Sequence, residues 1–199
     1  MKTTTINLYT FDELSKDVQA KVLDKYRDIN TDIDTLGWYP DLTSEKEKAL
    51  YDLGYVDAKI KFSGFGSQGD GASFTASVDL PTVCKLLKIE LPQSFLDWCD
   101  DEGASLEVVR GTGYISNHYF HENTVSAEMQ NAYYSPEQFD NLIAELENKV
   151  TADVREESKK IYRAIEEDYT YHTSDENVAD TIRANEYMFE ADGTMRNDN

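Results

Sequence analysis

From Phe139 to Tyr169, apolar residues return every three or four positions: Phe139, Ile143, Leu146, Val150, Val154, Ile161, Ile165 and Tyr169. A stripe kept up over roughly 30 residues marks one long amphipathic helix, on the order of 45 Å at ~1.5 Å per residue. Ser135-Pro136-Glu137 supplies its start, since a proline in the first turn removes a donor that has no intrahelical partner. The predicted helix covers about 136–170. A rod of that length has to lay its apolar face on another layer, and it either bends or projects beyond that layer.

The second layer is legible as strands. Val56, Ala58, Ile60 and Phe62 alternate with Asp57, Lys59 and Lys61, and Phe74, Ala76 and Val78 alternate with Thr75, Ser77 and Asp79. Period-two alternation is the pattern of a sheet with one apolar face. The linking segment, Ser63 to Phe74, holds four of the ten glycines and an Asp-Gly pair, so the two runs read as a β-hairpin. Ser105–Arg110, Tyr114–Phe120 and Thr124–Tyr133 read as further strands. Residues 3–9 read as a first strand, and Tyr187–Glu190 with the turn Asp192-Gly193 as a final edge strand.

The remaining segments are helical. Thr10 with Glu13 three residues on forms a capping box. It precedes a helix carrying Leu14, Val18, Val22 and Tyr26, with Leu23 and Ile29 alongside, that ends at Asn30-Thr31-Asp32. Leu36–Pro40 reads as a loop or a short helical turn. A helix from Ser44 stops at Gly54, and helical sequence from Pro81 to Asp101 is interrupted at Leu91-Pro92. Ser174 caps a last helix through Val178 and Ile182. The predicted fold class is α+β: an antiparallel sheet of about five strands, helices packed on one face, and the long C-terminal helix. No linker or repeat divides the 199 residues, so residues 1–199 read as a single domain.

Composition narrows the function. Nineteen Lys and Arg face 39 Asp and Glu, a net charge of −20, with a sequence pI near 4.4. Such a field repels phosphates, which argues against direct nucleic-acid binding and against anionic membrane surfaces. No apolar run approaches the ~20 residues of a membrane span. Met1-Lys2-Thr3-Thr4-Thr5 has neither the apolar core of a secretion signal nor the Arg-rich character of a transit peptide, so an intracellular protein is expected. Cys84 and Cys99 sit in apolar helical sequence and read as two free buried thiols.

The glycine-rich loop invites a phosphate-cradle reading, because glycines let backbone N–H groups approach an anion. No Gly-Lys-Ser/Thr ends it, a strand rather than a helix follows, and it holds the acid Asp70 and no base. Gly66-Ser67 followed by Asp79 resembles the start of a nucleotidyltransferase signature, but Leu80 and Pro81 stand where the second metal-binding acid belongs. His118 and His121, three apart on a strand and its turn, do not form a metal pair, and His172 stands alone. No metal, cofactor or catalytic residue is expected. The loop residues Ser63, Gly64, Ser67, Gln68, Gly69, Asp70, Gly71 and Ser73 are the candidates for a partner- or ligand-binding loop.

Acids supply the other candidate surface. Glu156, Glu157, Glu166, Glu167 and Asp168 lie on the long helix, and the C-terminal third carries about half of the excess negative charge. Acids at phosphate-like spacing on a rigid helix are able to imitate a nucleic-acid backbone in a basic groove. Thirteen Tyr, eight Phe and two Trp are a further excess, read either as aromatic padding between the sheet and the long helix or as a binding surface. Trp38-Tyr39, Tyr133-Tyr134 and Tyr169-Thr170-Tyr171 are the sets not all of which can be fully buried, and exposed aromatics beside acids suit a protein interface.

Tyr9-Thr10-Phe11-Asp12-Glu13-Leu14-Ser15, the string Phe62-Ser63-Gly64-Phe65-Gly66-Ser67-Gln68-Gly69-Asp70-Gly71-Ala72-Ser73-Phe74, and the ending Ala184-Asn185-Glu186-Tyr187-Met188-Phe189 with Asp192-Gly193 resemble a group of small uncharacterised proteins encoded by tailed bacteriophages. The resemblance covers the first ~80 residues and the tail, and it carries no catalytic role. It implies expression in the cytoplasm of an infected bacterium, where small acidic phage proteins often bind and block host proteins. The expected function is therefore that of a phage accessory protein. It would bind and inhibit a host protein, of the antiviral-defence or nucleic-acid-binding kind, through an acidic, aromatic-rich surface. The alternative is an enzyme or small-ligand-binding protein with its site at residues 63–73; a third is a small virion-associated protein.

Overall fold

The computed structural model describes residues 5–31, 38–111, 119–132 and 135–196. In chain order the elements are β1 (Tyr9–Thr10), α1 (Lys16–Lys25), α2 (Trp38–Asp52), β2 (Tyr55–Ser63), β3 (Gly71–Val78), α3 (Leu80–Leu87), α4 (Gln93–Glu102), β4 (Ser105–Arg110), β5 (Val125–Gln130), α5 (Asp140–His172), α6 (Asp175–Ala184), β6 (Met188–Phe189) and β7 (Met195–Arg196). Short 3₁₀ turns occupy Phe11–Glu13, Glu122–Thr124 and Glu137–Phe139. The fold class is α+β, with the 33-residue α5 as its longest element. The chain forms two compact units: a central one, Leu42–Glu166, and a terminal one made of Met1–Asp41 and Glu167–Asn199.

The central unit is built on a four-stranded antiparallel sheet in the order β2-β3-β4-β5. Ala58 and Ile60 are buried while Lys59 and Lys61 are exposed, as the alternation predicts. Val56 departs from it. An extra residue bulges β2 between Val56 and Lys59, with Asp57 at φ +52°. The bulge turns Tyr55 inward instead, to 0 % exposure, against Phe74 at 5.3 Å between ring centroids. Of the predicted fifth strand, Tyr114–Phe120, residues 114–118 lie outside the described set, and Tyr119 and Phe120 have no regular structure. The predicted Thr124–Tyr133 strand shortens to Val125–Gln130 behind a 3₁₀ turn.

Helix side chains engage backbone groups on both edges of this sheet. On the β5 edge, α5 offers Glu147 Oε1 to the Met129 N–H at 3.0 Å and Thr151 Oγ1 to the Ala127 N–H at 2.8 Å, and Arg155 donates to the Val125 carbonyl at 3.4 Å. The spacing works because four helical residues rise ~6 Å, nearly the ~6.6 Å of two strand residues. On the β2 edge, Glu47 Oε1 of α2 accepts the Ile60 N–H at 3.1 Å. At these positions, edge groups that invite pairing with another chain are satisfied. Along α5 the buried stripe is Leu146, Val150, Val154, Ser158, Ile161 and Ile165, so a serine that hydropathy does not flag completes it.

In the terminal unit, β1, β6 and β7 form a small antiparallel sheet with β6 in the middle, so the tail strand is central rather than an edge. Of the predicted first strand, residues 3 and 4 lie outside the described set, and among the described residues the strand is Tyr9–Thr10. The capping box of Thr10 and Glu13 closes a 3₁₀ turn, with Leu14 extended after it, and α1 begins after Ser15, whose carbonyl accepts the Val18 and Gln19 N–H groups. Phe11, Leu14, Val22, Val178, Ala179, Ile182 and Phe189 make the core. Gly193, at φ +89°, lies so close to Val22 and Val18 that a Cβ would stand 2.9 Å and 3.0 Å from their methyl groups. Of Leu36–Pro40, read as a loop or a short helical turn, residues 36 and 37 lie outside the described set and 38–40 are helical: Pro40 falls in the first turn of α2, where its missing N–H costs nothing.

Candidate functional site

The glycine-rich loop joins β2 to β3 and is fixed from within. Asp70 Oδ2 accepts the Ser67 N–H at 2.6 Å, and the Asp70 N–H returns to the Ser67 carbonyl at 3.1 Å. Gly64 faces that carboxylate, whose oxygens stand 3.3 Å from where a Cβ would lie. Ser63 Oγ donates to the Gly69 carbonyl and accepts the Phe120 N–H, each at 3.5 Å. Gly66 and Gly69 have φ of +103° and +110°, conformations costly for residues with a Cβ. Gly71 has an ordinary strand φ but lies under His121, whose Cα would stand 2.8 Å from an added Cβ. The glycines thus serve two needs, left-handed turns and close approach by the segment Tyr119–His121.

An aromatic floor supports the loop. Phe65 stacks on Tyr162 of α5 at 5.9 Å and 23°, and touches Phe62 at 5.7 Å. The Tyr162 hydroxyl donates to the Gly64 carbonyl at 3.3 Å. Burial, and then the charges of Glu166 and Asp70, push the Tyr162 hydroxyl pKa up, so it stays a donor. Ser67 and Gln68 are left exposed at the tip, while Ser73 is buried within β3, opposite Lys61 of β2. Tyr162, Tyr119 and His121 belong to this assembly, and the sequence flagged none of them for it. Tyr162 stands off the apolar stripe, and the Tyr119–His121 segment meets the loop through the Tyr119 ring at Gly69 and the His121 backbone at Gly71, contacts between residues some fifty positions apart.

The other candidates disperse. Asp79 lies beyond the far end of β3 from Gly66-Ser67, roughly 25 Å along an eight-residue strand, and accepts the Thr82 N–H at 3.2 Å as the cap of α3. The nucleotidyltransferase pattern is therefore not assembled. His121 Nδ1 accepts the Asn123 N–H, His172 Nε2 lies 3.6 Å from Asp168, and His118 falls outside the described residues. Among the described residues no three His, Cys, Asp or Glu side chains gather as a metal site. Cys84 and Cys99 are buried free thiols; burial, with Glu145 as a lesser cause, pushes Cys84 up to about 11.

The acids of α5 do not form one negative face. Glu156, Glu166 and Glu167 are exposed, but so are Lys159, Lys160 and Arg163 between them, and Glu157 pairs with Lys160 at 2.7 Å. Charge is denser on the terminal unit, whose sequence holds 17 Asp and Glu against seven Lys and Arg. There Tyr171 is 64 % exposed and borders a cleft of about 210 Å³ with Ser174, Glu176, Asn177 and Asp180. The side chains of Trp38 and Tyr39, and residues Tyr133-Tyr134, lie outside what is described.

Neither a curated protein nor a solved structure matches the chain. Residues 38–175, which include the whole central unit, match the family model of a domain of unknown function, DUF8835. With well over half of its length inside that match, the chain belongs to the DUF8835 family.

Proposed function

We propose that this is a binding protein that docks on a host protein and inhibits it, through the acidic, aromatic-bearing surface of its terminal unit. The setting is the cytoplasm of the infected bacterium implied by the likeness to tailed-phage proteins. The observation that carries this reading is Tyr171, largely exposed beside Glu176 and Asp180 on the more densely acidic of the two units. A large aromatic ring held out among carboxylates suits an interface whose other side is basic. Antiviral-defence and nucleic-acid-binding proteins fit that requirement, because surfaces that contact phosphates are rich in Lys and Arg. A second reading keeps the contact at the glycine-rich loop, favoured by the internal Asp70–Ser67 bonds that hold Ser67 and Gln68 outward.

The test is affinity capture by the tagged full-length chain from infected cells. A variant combining Tyr171→Ser with Glu176→Lys is expected to lose the captured host protein. Glu156→Lys with Glu166→Lys and Glu167→Lys, and Ser67→Ala with Gln68→Ala, are expected to retain it. Loss in the loop variant alone moves the contact to the glycine-rich loop, and failure of the wild-type chain to capture a host protein overturns the reading.

A further inference from the structure

The terminal unit carries a second concavity, a groove of about 440 Å³ between the Thr10–Asp12 segment and the end of α6 with its turn into β6. Its lining is apolar: the half-buried Tyr187 and Met188, with the core residues Phe11 and Ile182. Its rim is charged and unevenly balanced. Arg183 is consumed inside the protein: Nε and Nη2 donate to Asp12 at 2.9–3.2 Å, Nη1 donates to Asp180 at 3.0 Å, and the guanidinium lies 5.5 Å from the Phe11 ring centroid. Those bonds hold the Asp12 carboxyl below its usual range, so it stays ionised. Two carboxylates therefore engage one guanidinium, and on the rim itself Asp12 and Glu186 stand against Arg183. The Glu186 side chain is exposed and makes no hydrogen bond or ion pair with another described residue. Its backbone stands at φ +53°, held where α6 turns into β6 by its N–H bond to the Arg183 carbonyl at 3.0 Å.

We infer that this groove is the docking site for a segment of the partner protein that presents a large apolar side chain next to Lys or Arg. The inference rests on the reading of the terminal unit as the docking surface and gives the partner its chemistry. The lining supplies a place for the apolar side chain, and the volume suits one or two side chains rather than a folded element. The rim supplies net negative charge with one carboxylate unengaged, and the unit around it is acidic, so a basic neighbour is attracted and an acidic one repelled.

The test uses fluorescein-labelled 12-residue peptides with one Phe or Leu at the centre, flanked by Lys and Arg, by Glu and Asp, or by Ser. Anisotropy is measured against the full-length protein and its Glu186→Gln and Glu186→Lys variants. The basic set is expected to bind at least about tenfold more tightly than the other two. Affinity is expected to fall in the order Glu186, Gln, Lys, by about tenfold over the series, as removal and then reversal of an exposed charge requires. Unchanged thermal melting of the variants separates this loss from misfolding. Equal binding by the acidic or Ser sets, absence of binding by the basic set, or equal affinity in Glu186→Lys overturns the inference. So does concentration-dependent dimerisation abolished by Glu186→Lys, which would put a second copy of the chain in the groove. Where the host protein is captured by wild type and by Glu186→Lys alike, the groove assignment fails while the docking reading stands.

Discussion

The Tyr55 hydroxyl, in a ring with no exposed surface on β2, donates to Asp153 Oδ2 of α5 at 2.5 Å. One bond thus ties the sheet to the long helix, and it exists because the bulge at Asp57 turns Tyr55 rather than Val56 inward. Tyr55→Phe leaves the carboxylate without that donor and is expected to cost about 1–3 kcal/mol in urea unfolding at neutral pH.

The same pair sets an alkaline limit. An unfolded tyrosine titrates near 10. In the folded chain, burial first, then the bond to Asp153 and the charges of Asp153 and Glu157, hold the proton on well beyond that. A raised folded pKa stabilises fully below about pH 10 and loses that stabilisation as pH climbs above it. Unfolding free energy of wild type is therefore expected to fall above about pH 10 more steeply than that of Tyr55→Phe, by up to ~1.4 kcal/mol per pH unit. Parallel profiles for the two proteins would contradict the assignment.

The glycines of the loop are expected to rank by contact rather than by dihedral. Gly71→Ala drives a methyl against the backbone of His121 and is expected to cost about 1–3 kcal/mol or more. Gly66→Ala meets no atom within 4 Å and pays only for its positive φ, about 1–2 kcal/mol. Denaturant midpoints of the two variants, measured at equal m-value, give the order directly.

Cover of the β5 edge is expected to show in hydrogen exchange. Glu147→Ala removes the acceptor of the Met129 N–H, so that amide is expected to exchange faster than in wild type. Glu145→Ala, which breaks only a surface pair with Lys149, is expected to leave it unchanged.

How much of this was legible in the sequence depends on the range of the interactions. The long helix, the hairpin and the break at Leu91-Pro92 follow from periodicity and turn chemistry, which are local signals. The inward turn of Tyr55 was not legible, because a bulge shifts the alternation without leaving a hydropathy mark. Ser158 in the helix stripe hid for a similar reason: its place is set by its neighbours. The glycine string announced a tight hairpin, but nothing local told that Gly71 is needed for His121, fifty residues away. The acids misled in another way. Counted along the chain they place the negative charge on the long helix, yet Lys159, Lys160 and Arg163 share its exposed side. The terminal unit's acidity comes from joining two ends of the sequence, which only the fold reveals.

The docking claim is tested most directly by the affinity of the full-length protein for the captured host protein across a salt series. The screening length falls from ~10 Å at 0.1 M to ~3 Å at 1 M, so an acidic surface meeting a basic one loses attraction steeply over that range. The account predicts a dissociation constant that rises by at least about tenfold between low and high salt, a shallower rise for the variant combining Tyr171→Ser with Glu176→Lys, and competition by the host protein's own nucleic acid where it has one. A dissociation constant flat from low to high salt, equal in wild type and variant, would contradict it.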